Sequence, residues 1–291
     1  MLFASIDIGS NAVRLLFANV YETNGIPNAA KATLVRIPLR LGEDVFQDGI
    51  ITEKRIQKLV NTMKAFKLLI DVYEPVDFSA CATAAMREAA NNKQVIERIQ
   101  AEAGLNIRII DGQEEANIIR ASNNLSFNND YSLSMYIDVG GGSTEISVLR
   151  NHKFVKSYSF NIGAVRLLNN KVEESEWKRM EEWIQSFRDD FGKINCIGTG
   201  GNINKLTKMY GNNTINTISY LQLQYGYKQL KNISLKERIE KLGMRPDRAD
   251  VIVPAAKIYL TIMKAASIEA IVAPRVGLAD GLIYDLYSKN T

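Results

Sequence analysis

The sequence predicts an α/β fold in which one mixed unit of strands and helices occurs twice. Three observations carry this. Ile6-Asp7-Ile8-Gly9 returns as Ile137-Asp138-Val139-Gly140, each time closing an apolar run. Each half reads as three strands followed by helices alternating with strands, and such self-similarity marks a duplication. The chain has 291 residues, a length at which single cores stop growing and chains divide into domains.

In the first half, residues 2–8 read as a buried strand and residues 12–21 as a second. The link "ETNGIPN" is rich in turn residues, and residues 32–39 make the third strand. The period then changes: Ile56, Leu59, Val60, Met63, Phe66, Ile70 and Tyr73 recur at helical spacing. A strand over 76–82, a short helix through Arg87, a helix around 95–103, a strand over 106–110 and a helix from Gln113 follow. The polar, asparagine-rich "SNNLSFNNDYS" marks a boundary. The expected domains are therefore residues 1–124 and 125–291.

The second half repeats the order with strands over 133–139, 144–149 and 154–160. Trp177, Met180, Ile184, Phe187 and Phe191 share one helical face. A strand over 194–197, a glycine turn, and helices to Ala266 come next, then a strand over 268–273 and a final helix. Ser234 and Glu237 have capping-box spacing, with Gly243 placed for a left-handed cap. Residues 247–266 are apolar on nearly every side and predict one buried helix kinked at Pro254.

Composition narrows the function. With 46% hydrophobic and 23% charged residues the chain is an ordinary globular protein. Its net charge of +4 is spread without a basic arm, which argues against nucleic acid as a partner. Cys81 and Cys196 end apolar runs and read as buried free thiols of a cytoplasmic protein. The start "MLFASID" lacks a secretory pattern, and the apolar stretch 251–266 contains Lys257 and Lys264, so no membrane segment is expected. The single histidine, His152, lies in the polar link "RNHK". Carboxylates and backbone amides must carry the chemistry.

Three glycine turns stand after strand ends. Gly140, Gly141 and Gly142 are followed by the hydroxyls of Ser143 and Thr144; Gly9, Ser10 and Asn11 are a smaller version. The third, Gly198, Thr199, Gly200, Gly201 and Asn202, opens a helix. Amides in such turns converge on anions because no Cβ obstructs them, and a helix dipole adds to the attraction. Together they point to a phosphate-bearing ligand between two domains. The structural alternative is that each glycine only permits positive φ, which is the simpler reading for Gly9 alone. Asp7 and Asp138 interrupt apolar strands, where a buried charge needs a partner such as magnesium beside phosphate.

"IDIGSN", "CATAAMREAAN", "DGQEEA", "IDVGGGSTE", "NIGAVRL", "GTGGNINKL" and "RPDRADVIVPAAKIY" resemble, in the same order, motifs of the exopolyphosphatase / guanosine pentaphosphate phosphohydrolase family. That family belongs to the actin, hexokinase and heat-shock-chaperone ATPase superfamily. The resemblance spans nearly the whole chain. It implies two duplicated ribonuclease-H-like domains (βββαβαβα) with an interdomain active-site cleft, and Mg2+-dependent release of terminal orthophosphate from polyphosphate or guanosine pentaphosphate. Longer members carry a further C-terminal helical module; a short form without it is expected to handle short polymers about as well as long ones. A homodimer is the expected assembly.

Roles follow from local chemistry together with that resemblance. Asp111 and Glu114 have N-cap to N3 spacing, so Glu114 can serve the helix end, whereas Glu115 has no such local duty. The matching family position makes Glu115 the expected catalytic base, with Glu114 beside it as the second catalytic candidate. Asp138 and Glu145 stand seven residues apart across the glycine turn, a spacing that brings both towards one metal, and the resemblance supports them as magnesium or water ligands; Asp7 is the third metal candidate, on its buried charge alone. For Glu145 a surface strand charge is the alternative. Thr83 can cap a helix that carries Arg87, whose fork suits phosphate oxygens; a surface salt bridge is the other reading of Arg87. Arg14 and Arg166 are weaker candidates that a solvated face would also explain. Trp177 and Trp183 read as packing residues. Two rival classes are a superfamily kinase using ATP and a non-catalytic nucleotide-binding protein. The first would need an acceptor pocket that no segment announces, and the second would not need Glu115.

Overall fold

A computed structural model of the chain describes residues 1–121, 133–151, 153–186 and 194–291. Two compact units are present, Met1–Asn124 with Val276–Thr291, and Leu125–Arg275. The boundary expected at residue 124, as well as His152, Phe187 and Phe191, lie outside the described residues.

The first unit is built on a five-stranded sheet of order β3-β2-β1-β4-β5. Strands β1 (Leu2–Ile8), β2 (Val13–Thr23) and β3 (Ile26–Ile37) run antiparallel, while β4 (Asp77–Ala82) and β5 (Arg108–Ile109) continue parallel from β1. The β2–β3 hairpin turns on Asn24 (φ 53°) and Gly25 (φ 76°), the left-handed pair that a two-residue turn needs. β3 therefore starts at Ile26, earlier than expected, and carries Pro27; an edge strand tolerates a proline. β5 is only two residues long.

Successive residues of β1 point to opposite faces. Phe3 joins Leu16, Ala18, Val20, Ala279, Ile283 and Leu286 in one cluster. On the other face Phe17 stacks on Tyr73 at the end of helix α2 (Glu53–Tyr73). Helices α3 (Ala84–Glu88), α4 (Asn92–Ala103) and α5 (Gly112–Ala121) follow the expected order. Helix α1 (Leu41–Asp48) was not expected.

The second unit has a six-stranded sheet of order β10-β11-β9-β6-β7-β8. Its strands are β6 (Leu133–Val139), β7 (Thr144–Arg150), β8 (Lys153–Phe160), β9 (Ile194–Thr199), β10 (Thr217–Ser219) and β11 (Ala270–Val272). Apart from the added edge strand β10, this is the order and direction of the first sheet: third, second, first, fourth, fifth. The repeat read from the two Asp-Gly motifs is a repeat of topology.

Its helices are α6 (Ala164–Leu168), α7 (Glu174–Gln185), α8 (Gly201–Tyr210), α9 (Tyr220–Asn232), α10 (Leu235–Glu240), α11 (Pro246–Ala249) and α12 (Ile252–Ala265). The capping box of Ser234 and Glu237 forms, and Gly243 is left-handed (φ 59°). The helix expected over 247–266 is two helices, broken at Asp250–Val251. Pro254 falls in the first turn of α12, where its missing N–H has no intrahelical acceptor to lose, so it starts a helix rather than kinking one. Trp183 packs on Tyr158 and Phe160.

The last helix, α13 (Leu278–Asn290), departs from the expected domain division by belonging to the first unit. A Cβ on Gly281 would collide with the Ile118 carbonyl of α5, so glycine lets the two backbones meet. Leu278 and Leu282 bury against Cys81, Ile110 and Ile119, and Ala279 accepts a hydrogen bond from Ser5 Oγ at 2.8 Å. Among the described residues no helix is long and apolar enough to cross a membrane.

Candidate functional site

The two Asp-Gly turns are built alike. Gly9 donates its amide to the Ala12 carbonyl (3.2 Å) and Gly140 donates to Ser143 (2.9 Å), leaving Ser10–Asn11 and Gly141–Gly142 as the loop tips. Neither Gly9 nor Gly140 is left-handed, so positive φ does not explain them. A Cβ on either would press on the carbonyl that closes its own turn, Ala12 at 3.2 Å and Ser143 at 3.1 Å. In the second unit the start of α6 packs onto the loop: Ala164 donates to the Gly140 carbonyl (2.9 Å), Val165 and Arg166 to Gly141 (2.9 and 3.1 Å), and Arg166 Nε to Gly142 (2.8 Å). A Cβ on Gly163 would overlap the backbone of Gly141 and Gly142.

In a planar trans peptide the N–H points opposite to the C=O. With the carbonyls of Gly140, Gly141 and Gly142 turned to α6, the amides of Gly141, Gly142 and Ser143 face the other way, as anion binding requires. Arg166 thus holds the loop rather than lying on a solvated face. Thr144 gives its hydroxyl proton to the Ile162 carbonyl (2.5 Å), a structural duty. Ser143 is buried beside it.

Beyond the turns the repeats diverge in charge. In the first unit Asp7 stands in register with Arg14; in the second Asp138 stands in register with Glu145. Arg14 and Asp7 form an ion pair at 2.5 Å, so the buried charge of Asp7 has a protein cation as partner and does not call for a metal. Asp138 and Glu145 instead offer carboxylate oxygens within 4.8 Å of each other. Two such charges repel by about 3.5 kcal/mol or more at an effective dielectric near 20. Hard oxygen donors facing each other at this range are a set that a divalent cation fits. Glu145 is buried and accepts from Ser159 Oγ at 2.8 Å, which fixes one of its oxygens. It is not a surface strand charge.

The third turn leads from β9 into α8 beside Asp138. Thr199 pairs with Asp138 in the parallel register, and its hydroxyl is fully buried without a hydrogen-bond partner among the described residues. A buried orphan of this kind calls for a ligand. Tyr259 donates to the Thr199 carbonyl (2.9 Å), and burial, with Asp138 nearby, pushes its phenol well up, so it stays a donor. Gly200 has φ 91°, and a Cβ there would come 2.7 Å from Asp138 Oδ1. Gly201 starts α8 with its carbonyl bonded by Arg248 Nη1 (2.8 Å), and Asn202 follows in the same turn. Gly198 has a packing reason of its own: Ile271 and Ile203 occupy the space of its Cβ.

In the first unit the two neighbouring glutamates separate cleanly. Glu114 receives an ion pair from Arg108 and is about two-fifths exposed; its amide is capped by Asp111 Oδ1 at 2.8 Å. Glu115 is 8% exposed. Arg87 Nη1 donates to the Ile110 carbonyl (2.8 Å), just before α5, so Arg87 is tied to the strand end that leads into the Glu115 helix. Thr83 occupies the position before α3 but makes no side-chain cap bond there, and α3 is too short to hold an anion by its dipole.

A model of the Ppx/GppA phosphatase family matches residues 35–290. The bifunctional 3-dehydroquinate synthase/phosphatase of Fusobacterium nucleatum is 30% identical over 288 residues, covering 90% of this chain and 43% of that protein. The chain thus spans less than half of that relative's length. Exopolyphosphatase 1 of Mycobacterium leprae is 26% identical over 305 residues, covering 97% of this chain and 88% of that protein. The crystal structure of an exopolyphosphatase from Cytophaga hutchinsonii has the same fold, with a TM-score of 0.84 at 24% identity, over 99% of this chain and 98% of that one.

Proposed function

The chain belongs to the Ppx/GppA phosphatase family, and from that membership we propose a magnesium-dependent phosphohydrolase that releases terminal orthophosphate from inorganic polyphosphate or guanosine pentaphosphate. The observation that carries the proposal is the in-register pair Asp138 and Glu145 at the foot of a glycine loop whose amides are turned outward. Phosphate oxygens and a hard cation are the ligands this combination suits.

Asp138 and Glu145 would hold the metal. Bound there, magnesium would supply positive charge to phosphate oxygens. The amides of Gly141, Gly142 and Ser143, and those of the Ser10–Asn11 turn, would orient the terminal phosphoryl group. Arg87 would neutralise charge that develops on its oxygens. Glu115 would orient a water molecule and take its proton as the oxygen attacks phosphorus in line with the leaving chain oxygen. The leaving group is the shortened polyphosphate or guanosine tetraphosphate. The proposed setting is the cytoplasm, which fits two buried free cysteines, Cys81 and Cys196.

The test is orthophosphate release from polyphosphate, guanosine pentaphosphate and ATP, each with and without magnesium. Release from one of the first two, dependent on magnesium and faster than from ATP, is expected. ATP turnover that depends on an added acceptor would point to a kinase and contradict the proposal.

A further inference from the structure

The first glycine turn is held by a device that mirrors α6 on the second. Residues 39–44, between β3 and the body of α1, lie against Ser10–Asn11. Arg40 donates its amide to the Asn11 carbonyl (3.0 Å), and Gly42 donates to the Ser10 carbonyl (2.8 Å). A Cβ on Gly42 would stand 3.0 Å from the Ser10 Cβ and 2.5 Å from the Phe46 ring, so the approach depends on glycine. Both units thus set their turn by amides from the short helical segment that follows the third strand.

The latch in the first unit is strained. Arg40 is left-handed (φ 56°), a conformation that costs a residue with a Cβ free energy. Arg55, in the first turn of α2, braces it. Its Nη1 donates to the carbonyls of Leu39 (2.6 Å) and Arg40 (2.5 Å), on either side of the strained residue. Nη2 pairs with Glu43 (2.5 Å) and Nε with Asp44 (2.6 Å). Asp44 is itself fixed by the Thr52 amide (3.0 Å) and hydroxyl (2.6 Å) at the start of α2. All three guanidinium nitrogens are engaged, an arrangement that lysine cannot reproduce.

We propose that Arg55 is a positioning residue for the Ser10–Asn11 turn, acting through the strained latch at Arg40. The claim rests on the reading of that turn as substrate-binding. In the second unit the matching service comes from Arg166 on the loop carbonyl itself; in the first unit it comes one step removed, from α2. Arg55 touches no reacting atom. It fixes the direction of the Ser10 and Asn11 peptides, and loss of orientation lowers rate more than affinity.

The experiment compares wild type, Arg55→Lys and Arg55→Ala by amide hydrogen exchange at Arg40 and Gly42, thermal midpoint, and steady-state phosphate release from a short polyphosphate. Exchange at those two amides should rise about tenfold or more as the latch opens locally. In both variants kcat should fall roughly 10- to 100-fold with KM changed far less. Guanidinium ion added to Arg55→Ala should restore part of kcat. Unchanged exchange would overturn the latch. Raised exchange with unchanged kcat, or a lowered thermal midpoint with normal kcat per folded molecule, would overturn the positioning role. If wild type itself releases no phosphate, the functional reading fails, while the exchange measurement still decides whether Arg55 holds the turn.

Discussion

Replacing Glu115 by glutamine lowers kcat for phosphate release by roughly 10²–10⁴-fold, the usual worth of a positioned general base. KM should change little, because glutamine keeps the shape and one acceptor oxygen while losing the ability to take a proton. Glu114→Gln is the internal control. Glu114 is partly exposed and its carboxylate serves Arg108, so its loss should cost at most about 1 kcal/mol of stability, as for an exposed ion pair, and leave kcat near wild type. The contrast between adjacent residues separates chemistry from helix stability. Near-normal turnover in folded Glu115→Gln, or a large loss confined to Glu114→Gln, would mean that the roles are reversed or absent.

Asp138→Asn should raise the magnesium concentration needed for half-maximal activity. Mutating residues that merely support a metal ligand typically costs 10–100-fold in affinity, so removing a ligand should cost at least about that. Glu145→Gln should do the same, since the two carboxylates face one another in register. Saturating magnesium should recover part of the rate in either single variant and little in the double. Asp7→Asn should leave the magnesium dependence unchanged, because Asp7 is paired with Arg14. A magnesium titration of Asp138→Asn that overlays wild type would remove this residue from the metal site.

The sequence makes Asp7 and Asp138 equal candidates for the metal, and what separates them is the cross-strand partner that the folded register supplies. Each aspartate is followed seven residues later by its cross-strand neighbour, Arg14 in one case and Glu145 in the other. The repeat itself was legible because period-2 and apolar runs dictate strands whatever surrounds them. The capping spacing of Asp111 and Glu114 is realised only in part: Asp111 Oδ1 accepts from the Glu114 amide, while the Glu114 carboxylate goes to Arg108 instead of back to the helix end.

What stayed hidden depends on tertiary contact. Helices α1 and α6 are short and start without a side-chain cap bond; the carbonyls of the glycine turns hold them, and those lie distant in sequence. β10 is three residues long and exists by pairing with β11. The fit of α13 to the first unit turns on Gly281 meeting the Ile118 carbonyl, a complementarity between segments that no local pattern encodes. Pro254 was read as a kink because its distance from the helix start depended on a break at Asp250–Val251 that hydropathy does not reveal.

The central claim is that water attacks the terminal phosphoryl group with Glu115 as base. Running the reaction on a short polyphosphate in heavy-oxygen water, and analysing both products by mass spectrometry, tests it most directly. Attack at the terminal phosphorus breaks its bond to the bridging oxygen. A single heavy oxygen should therefore enter each released orthophosphate and none the shortened chain, at a rate that collapses in Glu115→Gln. Label in the shortened chain, unlabelled orthophosphate, or incorporation that proceeds undiminished in Glu115→Gln would contradict the account.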